Sequence, residues 1–532
     1  MQEKKTASFI SGAAVLMAAN LLVKLIGLAF KVPLTYLIGE EGMGHFSDAY
    51  TMYTWMFVLA TAGLPVAVSK MVSESRAVGK PREVRRILEV SLLFLLVVGA
   101  IGSGVLFFGA DALSALIGNS GAASGIRAIA PAMVFVALMS AFRGFFQGHQ
   151  DMMPTAVSEV AEAVGKLIFG YVLAYLFISK GASLGAAGAV AGVSAGAALG
   201  FVSLAAVFLI KKKSLFGAHY EDTASRGRRT LFKKLITIAI PITIGASVFS
   251  LTSVIDMAMI KHNLVSAGFS QSEAVRLWGS YSGYAVPIFN MPPTLLTAIS
   301  ISLVPAIASA FISGNKKKAQ GSAESAIRIT TLFALPCALG VSLLAEPILG
   351  LIYHNTNAAE MLNILGLSIV FVSLVQVTNA ILQAVGRVYV PVLHMAIGGI
   401  AKVVINYFLV SNPAININGA PIGTLCCYVL ILTLNLIAIR KVMGLRYSFS
   451  DMLLRPLLSA LIMGGVVLLL NRLSMPFGRL ISVGLPILGG AVTYGIMLFA
   501  FGAIKEADVL LLPKGESLSR LLKRMKLLRK EK

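Results

Sequence analysis

Two lysines stand inside the first long apolar segment of this chain, where a charged side chain is costly and therefore informative. Lys24 and Lys31 follow Asn20 by four and eleven residues, with Gly27 between them, and these spacings place all four on one helical face. A lysine at mid-bilayer costs roughly 2.5 to 3.5 kcal/mol on insertion scales. The stripe therefore predicts a water-filled cavity that binds an anion. The alternative is that the two lysines extend to opposite membrane interfaces.

A second charged face lies in the fifth apolar segment. Glu159, Glu162 and Lys166 follow one another at three and four residues, so that Glu162 can pair with Lys166 one helical turn further on. The pattern fits an ion pair that fixes helix packing. It fits a site for a proton or another cation equally well, and both interpretations stay open.

Further polar side chains inside apolar segments are weaker candidates. Asp256 is a fourth candidate for ion coupling, together with Glu159, Glu162 and Lys166, although it can equally lie near the outer interface. Lys402 stands in the eleventh segment. Asn379 and Gln383 share a stripe of the tenth segment, which fits contacts to a substrate or hydrogen bonds between helices.

The composition requires that membrane-spanning helices position these residues. The 532 residues are 57% hydrophobic and only 13% charged, with a mean hydropathy of +0.84, whereas soluble proteins carry about a quarter charged residues. A span needs about 20 apolar residues. We therefore predict an all-α polytopic membrane protein of about 14 spans, near residues 8–38, 47–72, 87–109, 124–147, 155–178, 183–210, 235–260, 276–312, 322–345, 359–384, 389–410, 417–439, 453–471 and 480–503.

The positive charge is distributed as the orientation rule for membrane proteins requires. With a cytoplasmic N-terminus and strict alternation, 33 of the 45 lysines and arginines lie in inside segments and 5 in outside loops. This partition predicts that both termini are cytoplasmic. It also makes the net charge of +22 a topology signal and excludes nucleic acid as the expected partner.

The two halves of the chain resemble each other at an offset of 236 or 237 residues. FFQGHQDMMPTAVSEVAEAVGK reads against ILQAVGRVYVPVLHMAIGGIAK, pairing Gln147 with Gln383 and Lys166 with Lys402. An offset of six spans is even, so the repeats insert in the same orientation, related by an axis along the membrane normal. We expect an N-terminal six-helix lobe over residues 1–212, a basic cytoplasmic linker over 213–234 and a C-terminal six-helix lobe over 235–441. Two extra helices over 442–504 and a basic amphipathic tail over 505–532, lying on the anionic inner leaflet, are expected to follow.

Signatures of enzymes and cofactor sites are missing from the sequence. It contains no HExxH, GxSxG or P-loop motif, its six histidines are scattered, and its three cysteines lie in apolar runs. We expect no catalytic residues, metal or cofactor. Transport would then depend on an ion gradient, the membrane potential or the imbalance of the substrate itself. A membrane-embedded sugar or acyl transferase is a weaker alternative, because the longest loop, residues 211–234, is basic with only Glu221 and Asp222 as acids.

The first two spans carry a family resemblance. The stretch LVKLIGLAFKVPLTYLIGEEGMGHFSDAY, followed by GLPVAVSKMVSE, resembles the polysaccharide-transporter and lipid II flippase branch, with SpoVB-like and MurJ-like members, of the multidrug/oligosaccharidyl-lipid/polysaccharide (MOP) exporter superfamily. The pattern consists of one basic residue and a second basic residue seven positions later, followed by a glycine turn and an Asp-Ala-aromatic triplet. On it, Lys24, Lys31 and Asp48 match positions that line the central cavity in the family.

The resemblance implies two six-helix lobes and alternating access. It also implies export of undecaprenyl-pyrophosphate-linked sugar, a lipid II-like peptidoglycan precursor or a polysaccharide unit, across the bacterial cytoplasmic membrane. We expect Lys24 and Lys31 to bind the anion and Asp48 to be their electrostatic partner or gate. A cation-coupled multidrug antiporter of the same fold, using sodium or protons, is the alternative. MurJ-like members usually have arginine where this chain has Lys24 and Lys31, and lysine lacks the planar fork that holds phosphate bidentately. The identity of the sugar therefore stays open.

Overall fold

The computed structural model describes residues 2–216, 226–445 and 450–504, and this part of the chain is α-helical throughout, without a β-strand. The predicted amphipathic tail 505–532 and residues 217–225 of the predicted linker lie outside the described residues. Helices of this length are expected from the composition, because a bilayer leaves each backbone amide only a partner within its own helix.

The chain forms two compact units, of which the first covers residues 1–283. Its helices are α1 (Gln2–Thr61), α2 (Leu64–Ala77), α3 (Pro81–Phe108), α4 (Ala110–Leu116), α5 (Ala123–Ile129), α6 (Ala132–Gly148), α7 (Met153–Ile178), α8 (Ala182–Phe216), α9 (Arg228–Ser266) and α10 (Gln271–Ser280). Helices α9 and α10 pack against α1 within this unit.

The second unit covers residues 284–532. Its helices are α11 (Val286–Ile312), α12 (Lys316–Leu343), α13 (Ala345–Ile352), α14 (Ala359–Ala384), α15 (Tyr389–Val410), α16 (Gly419–Met443), α17 (Arg455–Ser474) and α18 (Arg479–Ala500). A short π-helical segment, Tyr281–Ala285, precedes α11, and a second one, Ser450–Leu454, precedes α17.

The described helices confirm a polytopic membrane protein. Ten of them are long and apolar enough to cross a membrane, or eleven when the bent pair Ser120–Ile129 and Ala132–Gly148 counts as one span. Helix α1 contains the predicted first span and the beginning of the second, because it continues through a kink at Gly39, and α2 contains the rest of the second. The φ of 65° there lies in the left-handed region that favours glycine. The total of 14 stays a prediction.

The helix boundaries repeat within one residue of the offset that the sequence predicts. Helices α3 and α12 begin at Pro81 and Lys316, which are 235 positions apart, and α7 and α15 begin 236 positions apart, at Met153 and Tyr389. The left-handed turn residues repeat as well, at Gly79 and Gly314, Gly118 and His354, Gln150 and Gly386, and Gly181 and Asn416. The fold is thus all-α and built on two six-helix repeats.

Helices α7 and α8 pack closely through glycines of α8. A Cβ atom at Gly192 of α8 would collide with the backbone of Gly170, and one at Gly196 would collide with the backbone of Glu162 and Lys166. Small residues at such crossings let helix backbones approach closely in membranes. The backbones of α7 and α8 therefore approach each other closely at these glycines.

Candidate functional site

Lys31 of α1 is held by a backbone carbonyl. Its Nζ donates a hydrogen bond to the Ser282 carbonyl oxygen at 3.2 Å. Ser282 lies in the π-helical segment Tyr281–Ala285, and segments of this kind are frequent at functional sites because they release a carbonyl from the regular hydrogen-bond ladder. The lysine is partly buried at this position.

Lys166 of α7 faces two aromatic rings of α1. Its Nζ lies 4.3 Å from the centroid of the Tyr50 ring and 5.4 Å from that of Phe30. Such a cation–π contact stabilises an ammonium without neutralising it. Lys166 and Lys31 are close enough for their charges to repel each other.

The lysine pair Lys31 and Lys166 makes no salt bridge with any carboxylate among the described residues. Both belong to helices whose apolar sequence qualifies them as membrane spans. The pair therefore presents two positive charges that the described part of the chain does not neutralise, which is an arrangement suited to an anionic group.

Glu162 pairs with a residue other than the one expected. Its Oε2 accepts a hydrogen bond from Arg143 Nη2 of α6 at 2.9 Å, and Arg143 Nε donates to Ser158 Oγ at 3.1 Å. The expected pair with Lys166 is wrong, because the α1 rings offer Lys166 another environment. Glu159 Oε2 is buried with no hydrogen-bond partner in the described residues.

Asp48 lies in a buried cluster that the sequence did not indicate. Its Oδ2 accepts hydrogen bonds from Lys261 Nζ of α9 and from Asn119 Nδ2 at 2.5 Å. Asn119 Oδ1 in turn lies 2.8 Å from His45 Nδ1. Asp48 and Lys261 side chains are 0% exposed. Asp48 is therefore the partner of Lys261, which stands one residue after the end of the predicted span 235–260.

Three other predicted residues of this unit lie on α1 and α9. Lys24 and Asn20 are exposed on α1, and Asn20 Nδ2 donates only to the Leu16 carbonyl of its own helix at 3.0 Å. Asp256 is buried on α9. No signal in the sequence alone could pair Arg143 with Glu162 or Asp48 with Lys261, since each pair joins two different helices.

In the second unit, Asn379 belongs to a satisfied polar network. Asn435 Nδ2 donates to Thr378 Oγ1 at 2.9 Å and to Asn379 Oδ1 at 2.8 Å, and its Oδ1 lies 2.7 Å from His394 Nδ1. These contacts join α14, α15 and α16.

The two remaining predicted residues of this unit lie on α14 and α15. Gln383 is exposed at the end of α14. Lys402 is partly exposed on α15, thirteen residues from the start of its helix, as Lys166 is in α7. Among the described residues, no group of His, Cys, Asp or Glu could hold a metal ion.

A family assignment follows from comparison with known proteins. Residues 9–312, more than half of the chain, match the family described as "Polysaccharide biosynthesis protein". The chain belongs to this family. Residues 281–408 also match the MatE family, and the two matches confirm the MOP exporter superfamily of membrane transporters.

Relatives and solved structures extend over most of the chain. It is 25% identical to "Stage V sporulation protein B" of Bacillus subtilis (strain 168), covering 95% of this chain and 98% of that protein. It is 27% identical to "Lipid II flippase MurJ" of the same organism, covering 85% and 86%. A solved structure, "Lipid II flippase MurJ, inward closed conformation", aligns with a TM-score of 0.68 at 16% identity, covering 92% of this chain and 98% of that one, and shows the same fold.

Proposed function

We propose that the chain is a flippase that carries a sugar linked to undecaprenyl pyrophosphate across the bacterial cytoplasmic membrane by alternating access. The observation that supports this most directly is the lysine pair, Lys31 and Lys166, without a carboxylate partner among the described residues. Two uncompensated cations inside spans are costly to keep unless an anion binds them.

The chemistry of such a substrate explains why both charges are useful. A headgroup of hydroxyls and phosphates loses a few kcal/mol for each polar group that leaves water without a new partner. Lysine ammonium groups replace that water at the phosphates, while the lipid tail stays in the bilayer. The pyrophosphate carries more than one negative charge, so two lysines suit it better than one.

The relatives support the same class of substrate. One relative that is 27% identical is named a lipid II flippase, and the matched family is described by polysaccharide biosynthesis. Lipid II-like precursors and polysaccharide units share the lipid pyrophosphate, and the lysine pair selects for that shared part. Lys24, Asn20, Asp48, Lys402, Gln383 and Asn379 stay proposed as further substrate contacts.

The proposed cycle uses the predicted topology. Both termini are cytoplasmic, the lobes 1–212 and 235–441 rock about the substrate, and the membrane potential or an ion gradient drives export. Membrane lipids are the other partners, through the tail at 505–532.

Reconstitution into liposomes with fluorescent lipid-linked sugars tests the proposal. Lys31→Gln and Lys166→Gln are expected to slow flipping about 10- to 100-fold each, because each removes one charge-assisted interaction of about 1.5 to 3 kcal/mol. Lys31→Arg should keep much of the rate. The matched control is Lys180→Gln, since Lys180 also lies over a ring, that of Phe177, but at an exposed helix end. Flipping unaffected by both substitutions in the lysine pair would refute the assignment.

A cation-coupled multidrug antiporter is the second candidate, and one observation favours it. Glu159 carries a buried carboxylate oxygen without a hydrogen-bond partner among the described residues, beside the Glu162–Arg143 pair. Such an oxygen is suited to a proton or a sodium ion. The same liposomes distinguish the candidates: export of a lipophilic cation that depends on Glu159, with no movement of lipid-linked sugar, would favour the antiporter.

A further inference from the structure

The polar network of the second unit fixes where the hydrogens of the His394 ring lie. Thr378 Oγ1 donates its own hydrogen to carbonyl oxygens of its helix, that of Leu374 at 2.8 Å and that of Val375 at 3.1 Å. Toward the Asn435 amide, whose nearest atom is 2.9 Å away, this hydroxyl can therefore only accept. The Asn435 atom that faces Thr378 must then be the donor Nδ2, which leaves Asn435 Oδ1 as an acceptor.

This orientation of the amide determines the tautomer of His394. Its Nδ1 lies 2.7 Å from Asn435 Oδ1, so Nδ1 carries the ring hydrogen and donates it. In the neutral ring, the other nitrogen, Nε2, holds a lone pair. Within residues 2–216, 226–445 and 450–504, Nε2 has no hydrogen-bond partner. It can therefore bind a proton without breaking any contact of the network.

His394 belongs to a span but does not share the apolar outer face of that span. Helix α15 is long and apolar enough to cross a membrane, and His394 is half-buried on it. The large exposed side chains of α15 recur every three or four residues, at Leu393, Ile397, Ile400 and Val404. At 100° per residue, His394 lies about 90° from the centre of this stripe. Ionisable side chains that turn from the lipid inside a span mark ion pathways.

The helices around the ring bring no acid close to it. Helix α15 packs mainly against α16 and also against α14 and the short turn Asn416–Asn418, which has no titratable side chain. The only carboxylate on the three helices is Glu360, at the opposite end of α14 from Asn379. Their other titratable or charged side chains, with that of the preceding turn, are Arg387, Tyr389, Lys402, Tyr407, Cys426, Cys427, Tyr428, Arg440 and Lys441. A protonated His394 is therefore not held in a salt bridge by these helices and can release its proton again.

The first unit keeps a titratable group at the same place of its repeat. At the offset of 236 residues, His394 corresponds to Ser158 and Asn379 to Arg143. Arg143 Nε donates to Ser158 Oγ at 3.1 Å, so these two positions belong to one polar cluster in that unit as well. Ser158 is followed by Glu159, whose buried oxygen lacks a hydrogen-bond partner in the described part of the chain. Each repeat thus carries one titratable group with an open atom here, an acid in the first unit and a histidine in the second.

We propose that His394 Nε2 is the proton-binding site that couples transport to a pH gradient. A hydrated proton from the outer side forms a bond with the Nε2 lone pair and gives an imidazolium. The same N–H bond then breaks, which returns the ring to its neutral form and the proton to cytoplasmic water. Histidine suits this exchange because its ordinary charge change falls between about pH 5 and 8. The inference rests on the proposed function, since it names the ion that enters when the lipid-linked sugar leaves.

The exchange adds to the effect of the membrane potential. An anion that moves outward and a proton that moves inward are both favoured by a potential that is negative inside. On the predicted topology, α15 begins at the cytoplasmic face, and His394 stands five residues after its start. This corresponds to about 7.5 Å of helix. A proton bound from the outer side has therefore crossed most of the field when it reaches Nε2.

Nitrogen NMR of isotope-labelled histidine tests the site without any transport. Of the six histidines, His394 is the one whose signals disappear in His394→Gln, with His394→Asn as a second variant for this assignment. Its ring should carry hydrogen on Nδ1 alone at about pH 8.5 and on both nitrogens at about pH 5. Asn435→Leu, which is similar in shape, removes the acceptor of Nδ1 and should allow both tautomers. A neutral ring with its hydrogen on Nε2, or a ring still neutral at about pH 5, would overturn the proposal.

A pH gradient across liposomes tests the coupling. With the potential held fixed by potassium and valinomycin, an outer side more acidic by about one pH unit should speed export of fluorescent lipid-linked sugar up to about tenfold, the factor that one unit supplies per proton. His394→Gln should remove this response, whatever its rate without a gradient. The matched control, His262→Gln, should keep the response, because His262 is an exposed residue of α9.

The outcomes separate this proposal from the proposed function. Export that ignores the pH gradient would refute the coupling site alone, and so would a response that survives His394→Gln and is lost in Glu159→Gln. A ring that takes up the proton as expected, in a protein that moves no lipid-linked sugar, would refute the proposed substrate and leave the proton site in place.

Discussion

The buried pair of Asp48 and Lys261 predicts a large and asymmetric response to substitution. Both side chains are 0% exposed, and Asn119 also donates a hydrogen bond to the Asp48 carboxylate. Lys261→Met would leave that carboxylate buried without its counter-charge, which costs about 3 to 5 kcal/mol. At about 1.4 kcal/mol per factor of ten, this cost raises the equilibrium constant of unfolding about a hundredfold to a few thousandfold.

The double variant separates the cost of an unpaired charge from that of lost packing. Combining Lys261→Met with Asp48→Asn removes both charges and should restore most of the stability, because replacing a buried ion pair by uncharged residues is often close to neutral. Unfolding of purified protein in detergent, followed by tryptophan fluorescence, measures all three variants. Arg127→Gln breaks an exposed pair and should cost less than about 1 kcal/mol.

Two results would refute this reasoning. A cost of less than about 1 kcal/mol for Lys261→Met would mean that water reaches the pair, since that is the range of exposed ion pairs. A double variant as unstable as the single one would mean that the loss comes from packing around the Lys261 side chain and not from the unpaired Asp48 carboxylate.

Three further predictions concern topology, packing and the driving force. Single cysteines within residues 211–234 should resist an impermeant thiol reagent in intact cells, while one at Asn412 should react; labelling of the former would overturn the predicted orientation. Gly192→Ala should destabilise the protein by about 1 to 3 kcal/mol, since its Cβ meets the Gly170 backbone, whereas Gly104→Ala, in open space, should be neutral or stabilising in the same unfolding assay. Collapsing the membrane potential with an ionophore should stall export of an anionic headgroup even without pH or sodium gradients, because the potential contributes about 2.3 kcal/mol per charge per 100 mV; export that follows only an ion gradient would contradict it.

Local sequence was sufficient for the properties that depend on one helix at a time. Apolar length predicts spans because the bilayer core has a fixed thickness, so α7 and α15 begin within two residues of the predicted spans. The repeat was visible in letters at Lys166 and Lys402, and the helix starts and turn residues bear out its offset. The family resemblance rested on a motif contained within residues 21–74 and was confirmed by a family match over residues 9–312.

Only the tertiary structure decided which charges meet. The sequence placed Glu162 beside Lys166 because neighbours on one helix are all that a single segment reveals, but helix packing brings Arg143 of α6 closer to Glu162 and turns Lys166 onto Tyr50. Asp48 and Lys261 are 213 positions apart, and Lys31 meets a carbonyl 251 positions away. A pairing between helices depends on their rotation and crossing, which hydrophobic periodicity constrains only to the nearest face. The sequence therefore determined how many charges this membrane protein keeps among its apolar helices, and the tertiary structure determined which of them stay without a counter-charge.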